Sequence, residues 1–462
     1  MKKIKTLIVI ALVFFTSCSK DPTFITEPFV VAFKETSAKI LEITETSEIQ
    51  LEYSETPPEN GTVSILIAAE NAVYGRDFKT IPEAVGNELI VEILTGEKEN
   101  SFQIVELSNS FTDVMKITFS IIAIDVIDSN IQGNSSFELS DSVSLGGELS
   151  PTLGGPNEPN QVYIDLSSAK ETVVKRDTWD LGFYGGDEFR VIINGSLYMA
   201  TAPLSNTDIN SVNSTTVKDL QSAVAIGTFN PENENYIDAP NGSILETAID
   251  EIFEDDAQNP VYLVNLGNEI GTQTPNIGSA TIAGESRGWK KIRVLRNGED
   301  YILQYADLDA TSYTEVTISK DSDFNFSFFS FETTSIVNVE PQKNQWDLCF
   351  TVFTNVIDGA GSYGFSDYVI HNRKGGVTSY GLDGSTTTYD DFNIDNVDAD
   401  LLEETQNIIG SNWRDVFTST VTDDVFYILK DVNENYYKIR FLDLVNTDGE
   451  RGYPRFEYTL LQ

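Results

Sequence analysis

The feature that most restricts what this chain can become is an alternation of apolar and polar residues recurring along almost its whole length. EIQLEY places Ile49, Leu51 and Tyr53 on one side of an extended segment; TVSILIAA does so with Val63, Ile65 and Ile67, and MKITFSIIAI with Ile117, Phe119 and Ile121. Side chains alternate between the faces of a strand, so this period buries one face and wets the other. Turn signals such as PPENG and LTGEKEN separate the segments. The pattern predicts a small antiparallel β-sandwich over 29–128, with helix content close to nil.

The stretch GGELSPTLGGPNEPN, residues 146–160, is rich in Gly and Pro and poor in large apolar residues, so it reads as a linker. Beyond it, 161–462 continues in strand-turn units, among them QVYIDLSS, EFRVIING and VFYILKDVNENYYKIRFLDL. LLEETQNIIGSNWRDVF, Leu401 to Phe417, is the one candidate for a short helix. The expected fold class is all-β: an N-terminal β-sandwich followed by a larger antiparallel β domain with at most short helices. That domain contains an internal echo. Trp179-Asp180-Leu181-Gly182-Phe183 recurs as Trp346-Asp347-Leu348-Cys349-Phe350, each followed by a second strand that reaches an Asn, and GWKKIRVL recurs as NYYKIRFL in the same order. Two related halves within one β architecture account for this spacing. In each WDL, Trp and Leu share one face and Asp takes the other, which suits core packing with the Asp capping a neighbouring turn.

The first residues say where the chain goes. Lys2, Lys3 and Lys5 precede an apolar run from Leu7 to Phe15, then Thr16-Ser17-Cys18. A basic start, a short apolar core and a small residue before the cut make a secretory signal over 1–18. The run is shorter than the roughly 20 residues that span a bilayer. Ser17-Cys18 resembles a bacterial lipobox, which implies that Cys18 becomes the lipidated first residue of the mature protein, with 19–28 as its tether. The expected location is the outer membrane or surface of a Gram-negative envelope, with the lipid anchor as the sole membrane contact. Cys349 is the only other cysteine and reads as a small core residue.

Asp and Glu number 72 against 30 Lys and Arg, for a net charge of −42, and loss of the three signal lysines makes the mature chain more acidic still. Such a surface repels nucleic acid and anionic ligands and favours a monomer by self-repulsion. No enzyme is expected: there is no GxSxG, HExxH or CxxC, there is a single histidine, and the 72 acidic residues offer many carboxylate pairs for glycoside hydrolysis with nothing to single out one. GAGSYG places Gly359, Gly361 and Gly364 in a GxGxxG match, but FSDYVIHN after it reads as a strand, so the glycines belong to a hairpin and not to a dinucleotide fingerprint. YDDFNIDNVDAD opens like a calcium loop with Asp391, Asn393 and Asp395. Asn396 at the sixth position and Leu402 at the twelfth rule out an EF-hand and leave a looser calcium site in a β loop as the candidate.

Two families are similar to parts of the chain. ENAVYGRDF and ELIVEILTGEKENSFQIVEL, within Phe29 to Asp125, resemble a Calx-β-type module. Its acidic positions here (Glu45, Asp77, Asp113, Asp125, Asp128) are scattered, so the calcium site of some such modules is not carried over. From about 160 to 462, VYIDLSSAKETVVKRDTWDLGF, the Asn-Gly strand end at IING and the closing NYYKIRF, together with the lipobox, resemble the HmuY-like envelope lipoproteins. That resemblance implies an all-β fold and non-enzymatic capture of haem or a related tetrapyrrole for iron acquisition, with an outer-membrane receptor as partner. Its best-known members hold the iron through two histidines, and relatives through methionines. With one histidine, this chain offers His371 and Met199, in comparable places of the two halves, as the candidate axial pair; His/Met ligation is known haem chemistry. Arg373 and Lys374 are the local partners for propionates. The alternative is a surface adhesion or carbohydrate-associated protein without haem activity, in which Trp289, Trp413, Tyr436 and Tyr437 stack on sugars.

Overall fold

The computed structural model describes residues 28–462 apart from 35–36, 41–42, 44, 108–110, 113–114 and 141–143. Cys18 and the signal therefore lie outside the described residues. The chain divides into two units, Met1–Ser142 and Val143–Gln462.

In the first unit the alternating segments form two five-stranded sheets. One runs in the order Phe78–Ile81, Glu99–Glu106, Thr46–Tyr53, Phe29–Phe33, Ser129–Asn130; the other runs Ser37–Ala38, Ser136–Ser140, Lys116–Asp125, Gly61–Glu70, Glu88–Ile93. The inward set includes Ile49, Leu51, Val63, Ile65, Ile67, Ile117 and Phe119, all in one core. The sandwich extends past 128 to Ser140, because Phe137, opposite Phe119, and Leu139 complete that core.

The second unit is built twice over. The strand Leu181–Tyr184 pairs with Val191–Ile193 on one side and Phe326–Ser330 on the other; Leu348–Ile357 pairs with Gly361–His371 and with Asn160–Asp165. The registers coincide: Leu181, Gly182 and Phe183 face Ile193, Ile192 and Val191 as Leu348, Cys349 and Phe350 face His371, Ile370 and Val369. On the other side Gly182 faces Phe328 as Cys349 faces Tyr163. The two WDL aspartates cap alike, Asp180 Oδ2 accepting from Phe331 N at 2.7 Å and Asp347 Oδ2 from Leu166 N at 2.8 Å. The two asparagines close alike too: Asn194 Nδ2 donates to Trp179 O at 2.7 Å and Asn372 Nδ2 to Trp346 O at 3.0 Å, and each caps a 3-10 turn. Those turns end in the left-handed region, with Gly376 in one half and Tyr198 in the other. The sequence echo is thus a structural repeat.

The repeat reaches whole sheets. Ala200–Pro203, Tyr262–Asn265, Trp289–Asn297, Asp300–Asp307 and Thr314–Ile318 follow one another as Thr378–Asp383, Val425–Lys430, Tyr436–Val445, Arg451–Leu461 and Gly146–Leu149 do. Even a buried ammonium recurs: Lys291 Nζ donates to Val212 O and Ala310 O, and Lys438 Nζ to Tyr389 O and Phe392 O. The fifth strand of the second half comes from the start of the unit, so the chain closes on itself. This corrects the linker expected at 146–160. Gly146–Leu149 pairs with the last strand, Leu149 facing Phe456, and Leu153 is fully buried beside Ile164, Leu348 and Phe456. Gly and Pro shape this segment locally, but its partner strand is some 300 residues away in sequence and cannot be read from the segment.

The GxGxxG glycines turn the hairpin between Leu348–Ile357 and Gly361–His371. Gly359 and Gly361 have φ of +73° and +81°, and a Cβ on Gly364 would clash with the Tyr198 ring. Residues 401–417 hold no α-helix; they run beside the strand ending at His371, with Gly410 N donating to Val369 O and His371 N to Gln406 O. Among the described residues the one α-helix is Lys218–Gln221.

Candidate functional site

The repeat creates an inner surface as well as a fold. Tyr163, Cys349, Trp346 and Ile370 from one half pack with Trp179, Phe326, Phe328 and Ile192 from the other in a small aromatic core. Each half contributes one edge-to-face ring pair, Trp179 on Phe328 at 4.8 Å and Trp346 on Tyr163 at 5.0 Å between centroids. Edge-to-face is one of the preferred arrangements of aromatic pairs. Beside these rings lies a cavity of about 160 Å³, which they wall together with the polar side chains of Asp238, Asn325, Glu340 and Lys374. A cavity of about 150 Å³ accommodates one benzene ring.

Met199 and His371 both line this cavity, so the structure gathers the two candidate axial residues from positions far apart in sequence. Their state does not suit iron. The His371 ring is buried, with Nε2 3.1 Å from Glu404 O and Nδ1 2.9 Å from Ser379 Oγ. Burial pushes its pKa down to about 4, so the imidazole is neutral. A carbonyl can only accept, so Nε2 carries the proton and the Nδ1 lone pair takes the Ser379 hydroxyl. No lone pair is left for a metal. Tetrapyrrole rings also exceed a space that holds one six-membered ring. The residues present therefore do not fit haem as they stand.

Arg373 and Lys374 are committed in part: Arg373 Nη1 donates to Asn241 O at 3.0 Å, and Lys374 Nζ to Gly242 O at 3.0 Å. The charged groups of the cavity bear the mark of burial. It raises the Glu340 carboxyl to about 7 and the Asp238 carboxyl to about 6, and lowers the Lys374 ammonium to about 8. Cys349 is buried, and burial likewise pushes its thiol up. One polar atom stands out: Trp346 Nε1, on a residue 6% exposed, has no hydrogen-bond partner among the described residues.

The remaining candidates are scattered. Asn393 Oδ1 accepts from Asp395 N at 3.0 Å, Asn396 Oδ1 from Asn393 N at 2.9 Å, and Asp391 Oδ2 from Thr388 Oγ1 at 2.8 Å. The D-x-N-x-D spacing thus serves as a capping box for a 3-10 turn, with Asn393 spent on backbone. No group of three or more His, Cys, Asp or Glu that could hold a metal occurs among the described residues. Of the aromatics considered for sugar stacking, Trp413 and Tyr437 are core: Trp413 lies on Phe441 at 4.2 Å, and Tyr437 is fully buried. Sequence reading missed Gln161, Asp238, Asn325 and Glu340. The WDL echo was a signal for Gln161 and Asn325, which lie in or next to the strands that pair with a WDL strand, whereas Asp238 reaches Ile193 N only through the fold.

A family profile described as HmuY protein matches residues 157–316 and 322–458. Each matched segment contains one WDL strand. The chain belongs to the HmuY family. No curated protein matches it. Among solved structures, the apo-form Calx CBD1 domain is similar at 14% identity, over 24% of this chain and 95% of that one, with a TM-score of 0.21. CBD12 from CALX1.2 is similar at 12% identity, over 38% and 61%, with a TM-score of 0.20. A Bacteroides ovatus protein named as a candidate carbohydrate binding protein is similar at 8% identity, over 62% and 71%, with a TM-score of 0.17. At these scores the likenesses carry no weight for ligand or fold. The HmuY family is one of binding proteins and not of enzymes.

Proposed function

We propose that this HmuY-family protein is a non-catalytic capture protein of the cell envelope, holding a small ligand in the cavity between its two repeats. The observation that carries the reading is the cavity itself: both halves contribute an edge-to-face ring pair to its wall, and buried ionisable groups line its polar side. Pockets of this make, apolar with a few convergent polar groups, are the usual form of small-molecule sites. In this reading the ligand is smaller than haem, so the tetrapyrrole implied by the family resemblance is not carried over to this cavity. The lipobox supports attachment through Cys18, from which the captured ligand would pass to an outer-membrane receptor.

A haemin titration of the mature chain, followed by absorbance beside His371→Ala, tests the exclusion of haem. The expected result is no saturable Soret shift in either protein; a saturable shift lost in His371→Ala would overturn it. For the anchor, Cys18→Ala is expected to move the protein from the membrane to the soluble fraction, and retention in the membrane would count against lipidation.

A further inference from the structure

The two halves differ at a pair of positions that governs the cavity. In the strand that pairs with each WDL strand, Gln161 lies two residues before Tyr163, and Phe326 lies two residues before Phe328, its counterpart. Gln161 Oε1 accepts the Trp179 Nε1 proton at 3.3 Å, and Gln161 Nε2 in turn donates to the Tyr163 hydroxyl at 2.7 Å. By the same symmetry Trp346 has a phenyl ring where Trp179 has an amide, and its N–H is left without an acceptor among the described residues. Buried donors are nearly always paired, so an unpaired one on a cavity wall calls for a partner from outside the chain.

A second donor lies close by. Lys374 takes the place that Ser196 has in the other half, and its Nζ stands 5.5 Å from the centroid of the same Phe326 ring. Among the described residues this ammonium makes one hydrogen bond, to Gly242 O, and no ion pair. What the cavity lacks is therefore an acceptor. A full anion is disfavoured, since Glu340 and Asp238 already line the space and the chain carries −42. A cation is disfavoured by Lys374 and by the unmet need being for an acceptor.

We infer that the cavity takes an uncharged, single-ring aromatic ligand bearing a hydrogen-bond acceptor, the acceptor on Trp346 Nε1 and the ring among the indole and phenyl faces. This rests on the capture reading above and names the ligand class for that site. Four probes that share one ring separate the terms: benzamide is neutral with an acceptor, toluene lacks the acceptor, benzoate is anionic and benzylamine cationic. Titrated by calorimetry into the full chain, benzamide is expected to bind about tenfold more tightly than the other three, the worth of one buried hydrogen bond. Trp346→Phe keeps a six-membered aromatic ring and removes the donor, and is expected to bring benzamide down to the toluene level. Phe326→Gln supplies Trp346 with an internal acceptor, as Gln161 does for Trp179, and is expected to have the same effect. Toluene binding as tightly as benzamide, a charged probe binding best, or benzamide unaffected in both variants would overturn the ligand class and leave capture standing. Binding of none of the four would overturn both.

Discussion

The two halves of the second unit share a backbone plan and differ in how they satisfy it. In the N-terminal half, Trp179 has Gln161 to accept its proton, and Asp180 has a cation, Arg287 Nη2, at 2.7 Å, though not aligned as a hydrogen bond. In the C-terminal half, Trp346 has no acceptor, and Asp347 keeps its capping bond but has no cationic partner among the described residues. Burial, with Asp165 nearby, pushes the Asp347 carboxyl well above its usual range. The capping bonds are common to both halves, and the differences fall on the cavity wall, at the place proposed for the ligand.

The strongest way to break the account is at the chain closure, which the plan requires and the Gly- and Pro-rich composition does not announce. Leu153→Ala is expected to destabilise the protein by about 3 kcal/mol, as large-to-small changes at fully buried sites do, read from urea midpoints. A true linker would give close to no change.

The cavity's polar side comes next. Glu340 has its pKa raised from 4.5 to about 7, so between those values the folded state holds a proton that the unfolded state has lost. Stability then falls as pH rises through that window, by up to about 3 kcal/mol from this group. Glu340→Gln is expected to flatten the difference between pH 5 and pH 8; an unchanged slope would mean that Glu340 is ionised in the fold.

The two aspartates sharpen the comparison directly. Asp180→Asn leaves Arg287 without its carboxylate and is expected to cost about 2 kcal/mol, whereas Asp347→Asn breaks no ion pair among the described residues and is expected to cost less than about 1 kcal/mol. Equal losses would say that the halves are electrostatically alike. The smallest effect separates the indoles. Trp179→Phe strands the Gln161 oxygen and is expected to cost about 1 kcal/mol more than Trp346→Phe, which removes an unpaired donor.

These contrasts also show what was legible in advance. Period-2 alternation announced the sheets, and the WDL and KIR echoes announced the repeat, because both are local patterns that the fold merely aligns. Cys349 as a core residue and the glycines of GAGSYG as a hairpin were readable for the same reason. The closure through Gly146–Leu149 was not, since its burial depends on a strand at the far end of the chain. The expected helix at 401–417 gave way to bridging against Val369, a tertiary override of apolar periodicity. At the site, the sequence brought Met199 and His371 to one cavity but could not show that Ser379 and Glu404 engage both imidazole nitrogens. Nor could it show that Gln161 and Phe326, unremarkable apart, are counterparts.

The central claim is that the space between the two repeats is a ligand site. Crystals grown with 4-bromobenzamide test it most directly, through the anomalous signal of bromine. The account predicts one peak within the cavity, between Trp179 and Trp346, with the amide oxygen on Trp346 Nε1. Bromine found only elsewhere on the protein, with the cavity unchanged, would contradict it.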